Sequence, residues 1–196
     1  SQITFPPEGL RDVGACWSFD GERLVFERRG EGRIELWVVD ADGGEPWLLT
    51  GDADRNYMPA WSADGRRVVY ISTQSGGSSL WDIDIETRAA RRLTSGPWDW
   101  LPSVARDGRI AYNQFGHPQD LVLLDLVSGE KRSLTDHTHE NMFPRLSPDG
   151  VTIAYQSNRT GNDEIWLLDL AGHPETRLTD EPARDLVPDW SPDGGE

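Results

Sequence analysis

The chain has 196 residues, 36% of them hydrophobic, with nine tryptophans and a net charge of −15 from 19 basic and 34 acidic side chains. That length suits one domain with a real core, and the acidic balance repels nucleic acid and anionic membrane surfaces while favouring a basic partner. No apolar run approaches the ~20 residues of a membrane-crossing helix, which argues against membrane insertion, and the single cysteine, Cys16, rules out an intramolecular disulfide or a cysteine-based zinc cluster.

Taken in chain order, "SQITFPP" (residues 1–7) reads as the outer strand of a preceding module. The phrase "DVGACWSFDG" then ends at Gly21, and close variants end at Gly65, Gly108, Gly150 and Gly194, a spacing of 42 to 44 residues. Within each unit the segment typified by "PAWS" reads as a first strand, and "SADG" as a tight turn. "RRVVYIS", rich in β-branched and aromatic residues, reads as a second strand. A Gly-containing polar loop such as "TQSGGSS" leads to an alternating third strand, "LWDIDI", and an outer fourth strand, "RRLT". An aspartate closes each third strand at Asp40, Asp84, Asp125 and Asp169, and a threonine follows ten residues later at Thr50, Thr94, Thr135 and Thr179. Helical periodicity is absent.

Four-stranded units at this period predict an all-β fold, a β-propeller of four-stranded antiparallel blades. Residues 1–196 are expected to form a single propeller domain or a fragment of one. Its blades span approximately 15–58, 59–101, 102–143 and 144–187, with a partial blade over 188–196. About four blades imply either a longer chain or several chains assembling to complete one ring, the alternative being "ITF" pairing with the "PDWS" strand to close a squeezed one. Trp37, Trp81 and Trp166, at matching third-strand positions, are expected to fill the space between blades. Cys16 is expected to be a buried structural thiol.

The segments "WSPDG" and "SNRTGNDEIWLLDLAG…TRLTD" resemble the repeat of TolB-like propellers, a branch of the WD-like group, over nearly the whole chain. The third unit departs most, with Val104, Ala105 and Arg106 in place of Trp-Ser-Pro. The resemblance implies a non-catalytic scaffold that binds a protein or peptide through its loop face and central channel, in a bacterial envelope or periplasmic setting. It also leaves a second reading: the propeller domain of a larger enzyme, either a prolyl-oligopeptidase-like hydrolase or a metal-dependent polysaccharide lyase.

Three residues before each first-strand proline, or its counterpart Ala15, stands Asp12, Asn56, Asp99, Asn141 or Asp185. One short acceptor per blade, placed where the chain crosses from an outer to an inner strand, would ring the channel mouth and receive a cation or a basic segment. The same residue types also cap their own loops by accepting a backbone N–H. Both roles are compatible. No cofactor is expected beyond such a cation. In "DHTHENMF", His137, His139 and Glu140 alternate in a way that could serve a metal, though no further ligand is identifiable. "NRT" at Asn158 matches a glycosylation acceptor by pattern. No Gly-x-Ser-x-Gly elbow, His-Glu-x-x-His helix or phosphate-cradling glycine loop is present.

Overall fold

The computed structural model describes residues 2–51, 55–96, 98–115, 118–136, 138–191 and 193–194. Among them the strands fall into four four-stranded sheets, each a meander in which every strand pairs with the next in sequence. The first sheet holds β1 (Arg11–Trp17), β2 (Arg23–Gly30), β3 (Arg33–Asp40) and β4 (Trp47–Leu48). The second holds β5 (Asn56–Trp61), β6 (Arg67–Ser72), β7 (Ser79–Asp84) and β8 (Ala90–Arg92). The third holds β9 (Asp99–Val104), β10 (Arg109–Gln114), β11 (Asp120–Asp125) and β12 (Lys131–Ser133). The fourth holds β13 (Asn141–Leu146), β14 (Thr152–Ser157), β15 (Glu164–Asp169) and β16 (Thr176–Arg177). The chain divides into two compact units, residues 1–100 and 101–196, and each is described by itself.

In the first unit, Val25, Leu36, Val38 and Leu49 of the first sheet pack against Trp61, Val68, Tyr70, Ile83 and Ile85 of the second. In the second unit, Ala105, Ala111, Leu121 and Leu123 pack against Leu146, Ile153, Tyr155 and Leu168. One alternating strand face supplies each side of these layers, so the two sheets of each unit stack as blades. The tryptophan that fully buries is not the third-strand one. Trp61, just before Ser62, is 1% exposed, and its indole N–H donates to the Cys16 carbonyl of the first sheet at 3.1 Å. Trp190, at the same repeat position, donates to the Arg145 carbonyl at 2.8 Å. Trp37, Trp81 and Trp166 are half-buried, and the guanidinium groups of Arg28 and Arg159 lie 4.5 Å from the rings of Trp37 and Trp166. Cys16 is likewise half-buried rather than buried, packed at the margin of the first unit's core.

Residues 2–7 form no strand, contrary to the sequence expectation, and Pro6 and Pro7 lack the N–H groups a ladder needs. Ile3 instead packs beside Leu24, Phe26 and Val39 on the free face of the first sheet.

The Ser-x-Asp-Gly phrase is a closed hydrogen-bond circuit. In the second blade the Ser62 hydroxyl donates to Asp64 Oδ1 at 2.7 Å and accepts from the Arg67 N–H at 2.9 Å, while Asp64 Oδ1 also accepts from the Arg66 N–H at 3.0 Å. Gly65 takes φ +66°, the left-handed conformation the turn requires. Ser18 with Asp20 and Ser147 with Asp149 repeat the circuit. The serine bond first, then the backbone N–H, holds the carboxyls of Asp20, Asp64 and Asp149 below their ordinary pKa. A folded pKa below the unfolded one adds stability above about pH 4 and loses it as pH falls through the folded value. Ser62→Ala is therefore expected to lower the urea midpoint at neutral pH, by a margin that narrows in acid. A margin independent of pH would contradict this account of the turn.

Candidate functional site

The sequence singled out the start of each first strand, and the structure gives that segment a shared geometry. Two residues after each Asp or Asn the backbone turns left-handed, at Gly14 (φ 61°), Met58 (54°), Leu101 (53°), Phe143 (53°) and Val187 (54°). Four of the five are large apolar residues in a conformation that disfavours them, Val187 most of all because it is β-branched. The ladder skips at the same place, between Val13 and Cys16, Tyr57 and Ala60, and Met142 and Arg145. Each skip is a β-bulge. Pro59 and Pro144 lie inside their bulges, where no ladder N–H is needed, which explains prolines within first strands.

A bulge leaves an amide without a ladder partner, and in the second blade of each unit the preceding blade of that unit supplies one. The Met58 N–H donates to Glu27 Oε1 at 2.8 Å, and the Phe143 N–H to Asn113 Oδ1 at 3.0 Å. Glu27 and Asn113 each follow the second-strand aromatic of their blade, Phe26 and Tyr112. Gly14 also makes room for this device, since a Cβ there would lie 2.8 Å from Glu27 Oε1.

The recurring threonine has a matching role. Its Oγ1 accepts a third-strand N–H in every blade, from Leu36 to Thr50 (3.0 Å), Leu80 to Thr94 (3.0 Å), Leu121 to Thr135 (3.1 Å) and Ile165 to Thr179 (2.9 Å). The hydroxyl proton then needs an acceptor. In the second blade the preceding residue is Ser79, and Thr94 donates to Asp99. In the third and fourth blades that residue is Asp120 or Glu164, and each takes the proton of its own threonine. Thr94→Val, which keeps the shape and removes the hydroxyl, is expected to cost about 2 kcal/mol, and Thr94→Ser well under half of that. Equal urea midpoints for the two variants would contradict the relay.

The five sequence-predicted positions consequently differ in what holds them. Asp12 forms a two-pronged bond with Arg28, at 2.8 and 2.9 Å, with both side chains under a tenth exposed. Asn56 is buried opposite Ser72. Asp99 has no exposed surface, accepts from Thr94, and donates its N–H to the Ser78 carbonyl at 3.0 Å. These three belong to the first unit, and Asn141 and Asp185 to the second. Asn141 is 1% exposed; its Nδ2 donates to the His139 carbonyl at 2.9 Å, and its backbone N–H to Gln119 at 3.1 Å. Asp185 is half-buried, with its N–H on the Asp163 carbonyl at 2.9 Å. Asn141 Oδ1 and Asp185 Oδ2 are both buried atoms without a donor. Where Thr135 and Thr179 are taken by Asp120 and Glu164, the acceptor at the next strand start goes without a proton.

Among the described residues no three His, Cys, Asp or Glu side chains gather to hold a metal. His137 lies outside the described residues, and Glu140 Oε2 accepts the Gln119 N–H at 3.2 Å.

No curated protein matches the sequence. Among solved structures, a protein assigned as TolB from Agrobacterium tumefaciens is 27% identical over 98% of this chain and 69% of its own, with a TM-score of 0.84. TolB from Acinetobacter baumannii is 19% identical over 94% of this chain and 45% of its own, with a TM-score of 0.71. A puromycin-hydrolyzing peptidase of Mycobacterium tuberculosis is 17% identical over 91% of this chain but 30% of its own, also at 0.71. The chain thus spans about two thirds of the first relative's length and less of the others. The family profile PD40, TolB beta propeller domain, matches residues 7–114 and again 101–196. With the 42-to-44-residue repeat, the four meander sheets and their blade-on-blade cores, the match shows that this chain belongs to the TolB beta propeller domain family.

Proposed function

We propose that the chain is a non-catalytic propeller scaffold that binds a basic protein or peptide segment through the loop face where its first strands begin. The observation that carries this reading is the pair of donorless acceptors, Asn141 Oδ1 and Asp185 Oδ2, at equivalent positions of the second unit. A buried acceptor without a donor costs about 1–3 kcal/mol, and an incoming N–H, direct or through a water, offsets that cost. Peptide amides, ammonium and guanidinium groups bring such donors, and the net charge of −15 favours cationic ones over anionic ones. Asp12 and Asp99 serve the fold instead, through Arg28 and Thr94.

Fluorescence anisotropy with two labelled peptides of equal length, one lysine-rich and one glutamate-rich, tests the proposal. The lysine-rich probe is expected to bind more tightly, and Asp185→Ala to weaken it about tenfold without lowering the melting temperature. Equal binding of both probes, or indifference to Asp185→Ala, would refute it.

A second reading is favoured by the likeness to the puromycin-hydrolyzing peptidase and to puromycin hydrolase, about 30% of whose lengths this chain matches. In that reading the propeller is one domain of a larger hydrolase, and a Gly-x-Ser-x-Gly segment in the same reading frame would identify it. The lyase variant predicts bound metal that His137→Ala removes.

A further inference from the structure

The chain contains six Asp-Gly dipeptides, at Asp20, Asp42, Asp64, Asp107, Asp149 and Asp193. Asp-Gly is the dipeptide most open to isomerisation, because glycine leaves the following amide nitrogen unhindered. In each of the six the glycine N–H lies in a tight turn, donating to the carbonyl three residues back: Ser18, Asp40, Ser62, Ala105, Ser147 and Ser191, at 2.8 to 3.1 Å. The nucleophile is therefore alike throughout, and the difference lies in the carboxyl it must attack.

Five of the six carboxyls are tied down. Asp20, Asp64, Asp149 and Asp193 accept the hydroxyl of Ser18, Ser62, Ser147 and Ser191 at 2.6 to 2.7 Å. Asp107, where Ala105 replaces the serine, is held by the Arg109 side chain at 2.7 Å and its N–H at 3.0 Å. Hydrogen bonds to the ionised form keep it ionised and fix its rotamer, and a carboxylate is a poor electrophile. Asp42 alone is exposed with no hydrogen bond or ion pair to its carboxyl among the described residues. Gly43 and Gly44 after it both take positive φ (95° and 123°), a conformation open to glycine.

We infer that Asp42 is a site of spontaneous isoaspartate formation in the folded protein, and that the Ser-x-Asp-Gly circuit protects its repeat counterparts. The Gly43 nitrogen attacks Asp42 Cγ and loses its proton; the carboxyl oxygen leaves as water, closing a five-membered succinimide. Water then opens the ring at either carbonyl. Opening at the former backbone carbonyl routes the main chain through Cβ and adds one bond to the link between β3 and β4, with no net change in mass or redox state.

The test is to age the intact chain at physiological pH and temperature and map isoaspartate by methyl transfer from isoaspartyl methyltransferase and by electron-transfer fragmentation. Asp42 is expected to convert at least about tenfold faster than Asp64 or Asp149, and in urea the rates should converge. Ser62→Ala should raise the conversion of Asp64 in the folded chain. If Asp42 converts no faster than Asp64 the inference fails. If the same ratio persists in urea, local sequence rather than the circuit sets it, and the structural explanation fails.

Discussion

Replacing Trp61 by alanine is expected to destabilise the chain by about 4 kcal/mol, the largest effect of any single substitution considered. The indole is 1% exposed and sits between Val25, Leu36, Val38 and Leu49 on one side and Val68, Tyr70, Ile83 and Ile85 on the other. Alanine would remove the largest side chain of that layer and leave a cavity that two paired sheets cannot collapse to fill. It would also leave the Cys16 carbonyl without the indole N–H. Trp61→Phe retains a buried ring but loses the donor and part of the indole's volume; about 1–2 kcal/mol is expected. Chemical denaturation followed by circular dichroism measures both. Loss of less than about 1.5 kcal/mol in Trp61→Ala would mean the blades do not rest on this residue.

Glu27→Ala is expected to cost about 3 kcal/mol, from a second-strand residue that is not itself among the predicted binding positions. Glu27 is 2% exposed; one oxygen accepts the Met58 N–H of the next blade, and the other accepts Arg29 at 2.8 and 2.6 Å. Alanine would orphan a buried amide in the bulge and remove a charge-assisted bond. Glu27→Gln keeps an amide-type acceptor of the kind Asn113 offers to Phe143, so about 1 kcal/mol is expected for it. Equal losses in the two variants would show that charge, not acceptor geometry, holds the bulge.

Much of this architecture was legible because the repeat is written in residues with narrow conformational roles. Asp-Gly turns, β-branched second strands and the Asp-to-Thr spacing located the strands of all four sheets. The role of the threonine was hidden, because its partner is a backbone N–H fourteen residues earlier and its proton acceptor changes with Ser79, Asp120 or Glu164. The left-handed bulge was harder still. Met58, Leu101, Phe143 and Val187 give no hint of positive φ, and Gly14 at the same repeat position was the one signal available. The five Asp and Asn positions were found as a set, but their partners come from elsewhere in the fold. Arg28, which engages Asp12, has no basic counterpart at the aligned positions, Ser72, Gln114 and Ser157. The "SQITFPP" segment misled because its apolar residues read as a strand while Pro6 and Pro7 deny it a ladder.

Within each unit, the first blade fastens the second through the amide left over by a first-strand bulge. Amide hydrogen exchange of the intact chain, read residue by residue by NMR, tests it most directly. The Met58 and Phe143 N–H groups are expected to exchange as slowly as the ladder amides of β6 and β14, and Glu27→Ala should accelerate Met58 alone of the two. Exchange of Met58 and Phe143 at the rate of exposed loop amides would contradict the account.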